Sequence, residues 1–261
     1  MPFGLKNAPS TFQCIIQKVL GNLLNHGTIN YLDDIIIYSK TLEEHHQLLA
    51  TIFQRFHSHN IKLKLSKYSF VKSQVEYLGH VISYNTVKPS PRQTKAVNDF
   101  AKPTNVQEVR RFIGLAGFYR RFIPHFSSIA EILTRLTRKN VGFQWIDEQH
   151  NAFNELKRLI TTPPVLSIFD PNLPTELHTD ASKVGIGATL IQEGHPVAYY
   201  SRSFAQEESN YDVTNQECLA VVNAIEHFHV YLYGTHFTVV TDHAALQWLF
   251  AINKPIGRLY R

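Results

Sequence analysis

Apolar side chains recur at helical spacing from residue 10 to residue 24, which predicts an amphipathic helix. The run Tyr31–Tyr38 is rich in β-branched and aromatic residues, so it predicts strands, with two adjacent aspartates interrupting an apolar hairpin. Thr41 and Glu44 have the spacing of a capping box, which predicts the start of a second helix. Five apolar residues form its predicted core face. They are Leu42, Leu49, Ile52, Phe53 and Phe56.

Alternating apolar and polar positions at residues 61–65 and 75–81 predict half-buried strands. Residues 105–136 then read as helices with paired basic side chains, and a further amphipathic helix is predicted to start near Asp147. Its core face comprises Phe153, Leu156 and Ile160. Prolines and polar residues at 162–172 predict a linker between two domains.

Strands and helices alternate after the linker. The pattern predicts strands at Thr175–Thr179, Gly185–Gln192, Val197–Ser201 and Phe237–Thr241, a long helix at Thr214–Tyr231, and a short helix at Ala244–Phe250. The sequence therefore predicts a chain of the α/β (α+β) class in which strands and helices precede a mixed α/β block.

The charge is divided unequally along the chain. Residues 1–140 carry a net charge of +11 and residues 141–261 carry −6, which predicts two units with different roles. The basic half could bind a nucleic-acid backbone, or it could be ordinary solvated surface. Two cysteines exclude a disulfide framework, and the absence of a signal peptide or long apolar span favours an intracellular, non-membrane protein.

Asp33 and Asp34 lie inside an apolar run, where an ionised aspartate is unfavourable both in a strand and in a dry core. Two interpretations fit: a plain turn between strands, or a site for divalent cations, which prefer oxygen ligands. Paired metals can activate a 3′-hydroxyl and stabilise a leaving phosphate.

A second set of carboxylates lies in the acidic half, where Asp180 and Asp242 end predicted strands and Glu217 lies near a helix start. Each has a structural alternative, as a turn residue, a helix cap or a partner of the helix dipole. Spacing alone does not show that they meet, since only folding could bring them together.

Other candidate residues fit structural roles better. The histidine pairs at 45–46 and 57–59 have no nearby cysteine and match no common zinc-ligand spacing, so we expect exposed helix surface. Trp145 and Trp248 are predicted core residues. Gly185 and Gly187 form no phosphate loop, and we expect a strand that turns tightly or is closely approached by backbone.

Several segments resemble gypsy-type LTR retrotransposon Pol polyproteins, in the family's order. The segments are FGLKNAPSTFQ at residues 3–13, Tyr31-Leu32-Asp33-Asp34, Leu78-Gly79-His80 and RFIGLAGFYRRFIP at residues 111–124. This resemblance implies the second half of a reverse-transcriptase palm followed by a helical thumb. It also implies that Asp33 and Asp34 bind Mg²⁺, with Mn²⁺ as an alternative ion.

The same resemblance implies nucleic-acid contacts. Phe3 and Gly4 would lie near the incoming dNTP, and Leu78, Gly79 and His80 would hold the primer end. Four arginines would lie near the duplex backbone. They are Arg110, Arg111, Arg120 and Arg121.

The acidic half resembles retrotransposon ribonuclease H. The matching segments are TDAS and GIGA at 179–188, YDVTNQE at 211–217, and TDH and LQWL at 241–249. The resemblance implies that Asp180, Glu217 and Asp242 hold two Mg²⁺ ions that activate a water to cut the RNA strand of an RNA–DNA hybrid.

The resemblance further implies that both sites are completed elsewhere. Family members have a third polymerase aspartate upstream of Met1 and a fourth nuclease acid beyond Arg261, so we expect an internal slice of a polyprotein. The predicted domains are a half palm at 1–88, a thumb and connecting helices at 89–165, and a ribonuclease H-like domain at 170–261.

We expect RNA template, DNA primer, RNA–DNA hybrid, dNTP and the rest of the polyprotein as partners, in a cytoplasmic particle with nuclear access. The alternative is a non-catalytic remnant that binds nucleic acid.

Overall fold

A computed structural model describes residues 5–246, so the predictions for Phe3, Gly4 and Trp248 lie outside the described residues. The chain divides into two compact units between Tyr77 and Leu78. They are called the N-terminal unit and the C-terminal unit below.

The N-terminal unit is built on two helices and a hairpin. Its elements are α1 (Ala8–Leu20), β1 (Thr28–Tyr31), β2 (Asp34–Ile37), α2 (Leu42–Ser58) and β3 (Gln74–Tyr77). Its core is formed by Ile16, Val19, Leu20, Ile52 and Phe56. Apolar residues of both helices therefore pack into one core. Ile35 and Ile37 of the acidic hairpin pack against this core.

The helix boundaries follow from local chemistry. A proline lies in the first turn of α1, where no amide hydrogen is needed, and the helix ends at Gly21 with φ of 52°. The predicted capping box of α2 is confirmed. Thr41 Oγ1 accepts from the Glu44 amide at 3.2 Å, and the Glu44 carboxylate accepts from the Thr41 amide at 3.2 Å.

Two expectations for this unit are wrong. Residues 61–64 are not a strand and 65–67 form a 3₁₀ turn, because alternation without a partner strand does not make a ladder. Ile61 and Leu63 still pack against the core. On α2, Leu42 and Phe53 are 56% and 37% exposed, and Leu48 packs against the core in addition to the predicted Ile52 and Phe56.

The first part of the C-terminal unit is mainly helical, and it will be called the helical segment. Its elements are β4 (His80–Ser83), β5 (Thr86–Pro89), α3 (Pro91–Asn98), α4 (Val106–Gly117), α5 (Phe126–Thr134), α6 (Asp147–Thr161) and β6 (Leu166–Ser167). Strand β5 pairs antiparallel with both β4 and β6. Helix α6 buries the three predicted apolar residues Phe153, Leu156 and Ile160.

A mixed sheet follows. Its elements are β7 (Thr175–Ala181), β8 (Gly185–Gln192), β9 (His195–Ser203), α7 (Val213–His227), α8 (His229–Leu232) and β10 (Phe237–Val240). The strand order is β10-β7-β8-β9, in which β10 is parallel to β7 and the other pairs are antiparallel. The predicted single helix at Thr214–Tyr231 is instead two helices separated at Phe228, which has φ of −90° and ψ of 12°.

Close backbone approach at Gly185 confirms its predicted role. A Cβ there would lie 2.3 Å from the Arg202 carbonyl oxygen and 2.8 Å from the Ser203 Cα. Only glycine therefore fits where β8 and β9 meet. None of the helices within residues 5–246 is long and apolar enough to cross a bilayer.

Candidate active site

Three carboxylates meet at the carboxyl ends of two neighbouring parallel strands. Asp180 is the penultimate residue of β7, and Asp242 follows β10 by two residues. Val240 pairs with His178, so the two aspartates emerge side by side. Glu217 lies on α7, the helix that packs against β7 and β8. One ligand atom from each carboxylate lies within 4.8 Å of the others.

Helix α7 holds Glu217 in place. Asp212 caps the helix by accepting from the Asn215 amide at 3.0 Å. Glu217 is only 4% exposed, and its Oε1 accepts from the Ala181 amide at 3.2 Å. Its Oε2 is buried and has no hydrogen-bond partner among the described residues. A buried carboxylate oxygen without a donor is costly, and a cation would satisfy it.

Electrostatics also favour a cation. Burial raises the pKa of Glu217, and the nearby charges of Asp180 and Asp242 raise it further. The Ala181 amide and His243 act in the opposite direction. No Lys or Arg within residues 5–246 forms a salt bridge with these three carboxylates. The donor set therefore fits divalent cations with oxygen ligands.

The triad opens onto a cleft of about 450 Å³. Asp180 and Asp242 line it together with Thr189 of β8 and Tyr199 of β9. His125, which precedes α5 and has φ of 52°, lines it from the helical segment. The exposed aspartates therefore line the cleft, whereas Glu217 is buried.

The other acidic pair lies on the β1–β2 hairpin. Tyr31 pairs with Asp34, which leaves Leu32 and Asp33 as the two turn residues. Asp33 and Asp34 are both exposed. Burial, followed by the charge of Asp34, raises the pKa of Tyr77. No third acidic, histidine or cysteine ligand joins the pair within the described residues.

Helix α1 braces this turn, which the sequence did not predict. Leu32 has φ of 53°, a conformation that costs a branched side chain about 1–2 kcal/mol. The Gln13 side chain accepts from the Leu32 amide and donates to the Asn30 carbonyl at 3.3 Å. The Asn30 side chain donates to the Leu32 carbonyl at 2.9 Å. The local sequence carries no signal for this brace, because the glutamine contacts a turn 19 residues further along the chain.

The predicted strand at residues 75–81 is interrupted by a tight turn at Leu78 and Gly79, and His80 begins β4. Leu78 and Gly79 have φ of 47° and 79°. His80 Nδ1 lies 3.0 Å from the Leu78 carbonyl, and its ring stacks on Phe122 with centroids 5.5 Å apart. Burial lowers the pKa of His80, the hydrogen bond with the Leu78 carbonyl acts in the opposite direction, and the charge of Arg121 lowers the pKa further. The ring is thus packed into the helical segment as a neutral group, while Leu78 is exposed.

The four predicted arginines have different surroundings. Arg110 and Arg111 are exposed on α4, and Arg110 also donates to the Thr137 carbonyl at 3.1 Å. Arg121 is half-buried, with its guanidinium 5.5 Å from the centre of the Phe122 ring. Arg120 donates to the Ser201 carbonyl of β9 at 2.7 Å. Arg110, Arg111 and Arg120 are thus all exposed, whereas Arg121 is half-buried, and Arg120 differs from Arg110 in bonding to the mixed sheet.

Two protein families match this chain. Residues 1–82 match the reverse transcriptase (RNA-dependent DNA polymerase) family. Residues 145–239 match the RNase H-like domain found in reverse transcriptase, a span that includes α6. The chain therefore combines a reverse transcriptase segment with an RNase H-like segment.

Curated relatives narrow the comparison, since the chain is similar to one part of the Pol polyproteins of retrotransposons and spans a quarter or less of each. It is 40% identical over its whole length to the retrovirus-related Pol polyprotein from transposon 297 of Drosophila melanogaster, of which it spans 25%. It is 38% identical to the polyprotein from transposon 412 of the same species, spanning 21% of it. It is 34% identical to the transposon Tf2-3 polyprotein of Schizosaccharomyces pombe, spanning 19%.

Solved structures share the fold. A foamy viral protease-reverse transcriptase in complex with double-stranded DNA matches 96% of this chain and 45% of its own, with TM-score 0.86 and 22% identity. A foamy viral protease-reverse transcriptase in complex with RNA/DNA hybrid matches 100% of this chain and 36% of its own, with TM-score 0.83 and 21% identity. At sequence identities of 21% and 22%, this structural similarity establishes the fold alone.

Proposed function

We propose that this chain cleaves the RNA strand of an RNA–DNA hybrid at Asp180, Glu217 and Asp242. The supporting observation is the convergence of the three carboxylates, together with a buried Glu217 oxygen that has no hydrogen-bond partner among the described residues. The family match to an RNase H-like domain and a neighbour in complex with RNA/DNA hybrid support this substrate class.

Each residue has a distinct role in this proposal. The Ala181 amide fixes one oxygen of Glu217, and the second oxygen, which has no hydrogen-bond partner among the described residues, would bind a cation. Asp180 and Asp242 present their carboxylates to the cleft, where a phosphodiester would lie. Two Mg²⁺ ions, or Mn²⁺, would be held by the triad and would supply water activation and charge neutralisation. Arg110 and Arg111 would contact the hybrid backbone.

We also propose that Asp33 and Asp34 supply two metal-binding carboxylates for RNA-directed DNA polymerisation. Their position at a braced hairpin and the reverse transcriptase family match support this role. Phe3 and Gly4 would lie near the dNTP, and Leu78 and Gly79 near the primer end. The template is RNA, the primer is DNA, and the rest of a Pol polyprotein completes the site in a cytoplasmic particle with nuclear access.

The deciding experiment is Mg²⁺-dependent cleavage of a labelled RNA–DNA hybrid. The chain is compared with a variant carrying Asp180→Asn and Glu217→Gln, and with Glu226→Gln, which changes an exposed acid on the same helix. We expect cleavage by the chain and by Glu226→Gln, and none by the double variant, since two of the three metal-binding carboxylates are lost.

Substrate controls sharpen the result. Single-stranded RNA and duplex DNA should remain uncut if the site recognises a hybrid. Retained hybrid binding without cleavage in any divalent metal would instead support a non-catalytic nucleic-acid-binding protein. Equal cleavage by the double variant would place the nuclease elsewhere.

A further inference from the structure

Strand β9 is the edge of the mixed sheet, and the helical segment covers it. In the strand order β10-β7-β8-β9 no further strand follows β9 among the described residues. Edge strands carry backbone groups that need partners. Tyr199 of β9 packs against the core of the helical segment, so the edge is joined to it by apolar contact as well.

Two polar contacts fix this edge. Arg120 donates to the Ser201 carbonyl at 2.7 Å, and the Ser127 amide donates to the Ser201 hydroxyl at 2.9 Å. Ser127 and Ser201 are only 8% and 2% exposed. The Arg120 guanidinium also lies 5.6 Å from the centre of the Phe126 ring. Ser201 of β9 thus accepts one hydrogen bond from a charged side chain and another, buried, from a backbone amide.

The position of Ser201 connects this contact to the carboxylate triad. Ser201 pairs with Gly187 of β8, and Gly187 pairs with Asp180 of β7. The contact therefore lies on the same cross-strand row as one of the proposed metal ligands. On that row, the ring of His125 is 3.4 Å from the position that a Cβ on Gly187 would occupy.

We propose that Arg120 is a positioning residue that docks the nuclease sheet onto the helical segment, and so determines where a bound hybrid is cut. Arg120 resembles a duplex-binding arginine in sequence, but one of its guanidinium nitrogens is committed to β9. With Ser127, it fixes the triad relative to the exposed Arg110 and Arg111. The consequence for cut position rests on the proposed nuclease function, whereas the docking does not.

The experiment compares Arg120→Gln with Arg110→Gln, an exposed arginine whose guanidinium donates to Thr137 of the same segment and not to β9. Amide exchange at Ser127 is followed by mass spectrometry and NMR, without any substrate. Arg120→Gln should accelerate this exchange by about tenfold, as expected for the loss of a hydrogen bond to a charged group. Arg110→Gln should leave Ser127 exchange unchanged. Arg120→Lys, which keeps a positively charged donor, should lie between Arg120→Gln and the unchanged chain.

Cut positions are then mapped on a long hybrid with one labelled end. Arg120→Gln should spread the cuts over more positions, and its affinity for hybrid should keep the same salt dependence. Arg110→Gln should keep the cut positions and lower the salt slope by about 0.7–0.9, the contribution of one phosphate contact.

The opposite pattern would overturn the proposal. If Arg120→Gln lowers the salt slope while Ser127 exchange and cut positions stay the same, Arg120 binds phosphate and does not dock the sheet. Absence of cleavage by the unchanged chain would refute the nuclease function alone, because the exchange measurement still tests the docking. Ser201→Ala removes the acceptor for the Ser127 amide and should give the same exchange result independently.

Discussion

Glu217 carries an electrostatic cost that the fold imposes before any ligand arrives. Its pKa is raised by burial and by two neighbouring aspartates, so its charged form destabilises the native protein. This destabilisation is present at neutral pH. It disappears as the pH falls through the raised pKa, because the folded protein then takes up the proton.

Replacing Glu217 with glutamine should therefore stabilise the metal-free chain while removing cleavage. Glutamine keeps an acceptor for the Ala181 amide and removes the charge, so we expect a gain of about 1 kcal/mol at pH 7. Urea unfolding in EDTA measures it. The gain should shrink toward pH 4, where Glu217 becomes protonated. Glu226→Gln is the control, and a loss of stability with Glu217→Gln at pH 7 would contradict this account.

Gln13 should matter for the acidic hairpin without touching a ligand. Gln13→Leu removes the acceptor of the Leu32 amide. We expect exchange of that amide to rise about fivefold, as one neutral hydrogen bond contributes about 1 kcal/mol. The exposed Gln17→Leu on the same helix is the matched control. Unchanged exchange at Leu32 would show that the turn holds its conformation without the brace.

Candidate acids were easier to predict than the residues that support them. Asp180, Glu217 and Asp242 lie in recognisable local motifs, and the structure brings them together. The left-handed conformation of Leu32 and the brace from Gln13 had no such signal. A positive φ at leucine depends on contacts from a distant helix, which local preference does not encode.

At the scale of elements, local sequence patterns predicted helix and strand boundaries correctly where neighbouring residues determine those boundaries. The capping box of Thr41 and the strand Gly185–Gln192 were both predicted with the observed boundaries. The alternating segment at residues 61–65 failed, because a strand exists only when another strand accepts its backbone hydrogen bonds. Sequence alternation reports which residues can be half-buried, and it does not report whether a partner strand is present.

A substitution at Gly185 tests how closely the backbones of β8 and β9 approach each other. Gly185→Ala would place a methyl group 2.3 Å from a backbone oxygen, so the hairpin must shift, and we expect a loss of about 2–3 kcal/mol. Gly187→Ala in the same strand is the control, since its nearest neighbour would be the His125 ring at 3.4 Å. Chemical denaturation measures both, and equal losses would refute the close-approach explanation.

At the scale of the whole molecule, the two units have unequal cores. Among residues 5–246, five buried residues form the core of the N-terminal unit, whereas sixteen form the main core of the helical segment. A smaller buried core supports less stability, so the N-terminal unit should unfold first.

Magnesium should increase the difference in stability between the two units, so that their unfolding transitions lie further apart. The triad lies in the C-terminal unit, so Mg²⁺ at 100 times its dissociation constant should stabilise that unit by about 2.7 kcal/mol. Calorimetry with and without Mg²⁺ measures the shift, and Asp180→Asn should remove it. A shift confined to the first transition would instead assign the stronger metal site to the Asp33–Asp34 hairpin.

Charge distribution predicted two units with different roles, but it could not show how segments pack. The contacts at Ser201 join residues 74 and 81 positions apart in the chain. Such contacts leave no local trace in composition or periodicity, and they place the helical segment and the mixed sheet in one unit. The predicted domain boundaries at residues 88, 165 and 170 remain predictions.

The capped start of α7 also limits which insertions and deletions the chain can tolerate. Asp212 fixes the first turn, and Glu217 follows five residues later on the face toward β7. Each residue turns a helix by about 100°, so one added residue between them would present Gln216 to the carboxylates instead. One deleted residue would present Cys218. Length changes in the loop before Asp212 preserve this register. Related sequences should therefore vary in length in that loop and not within residues 213–217.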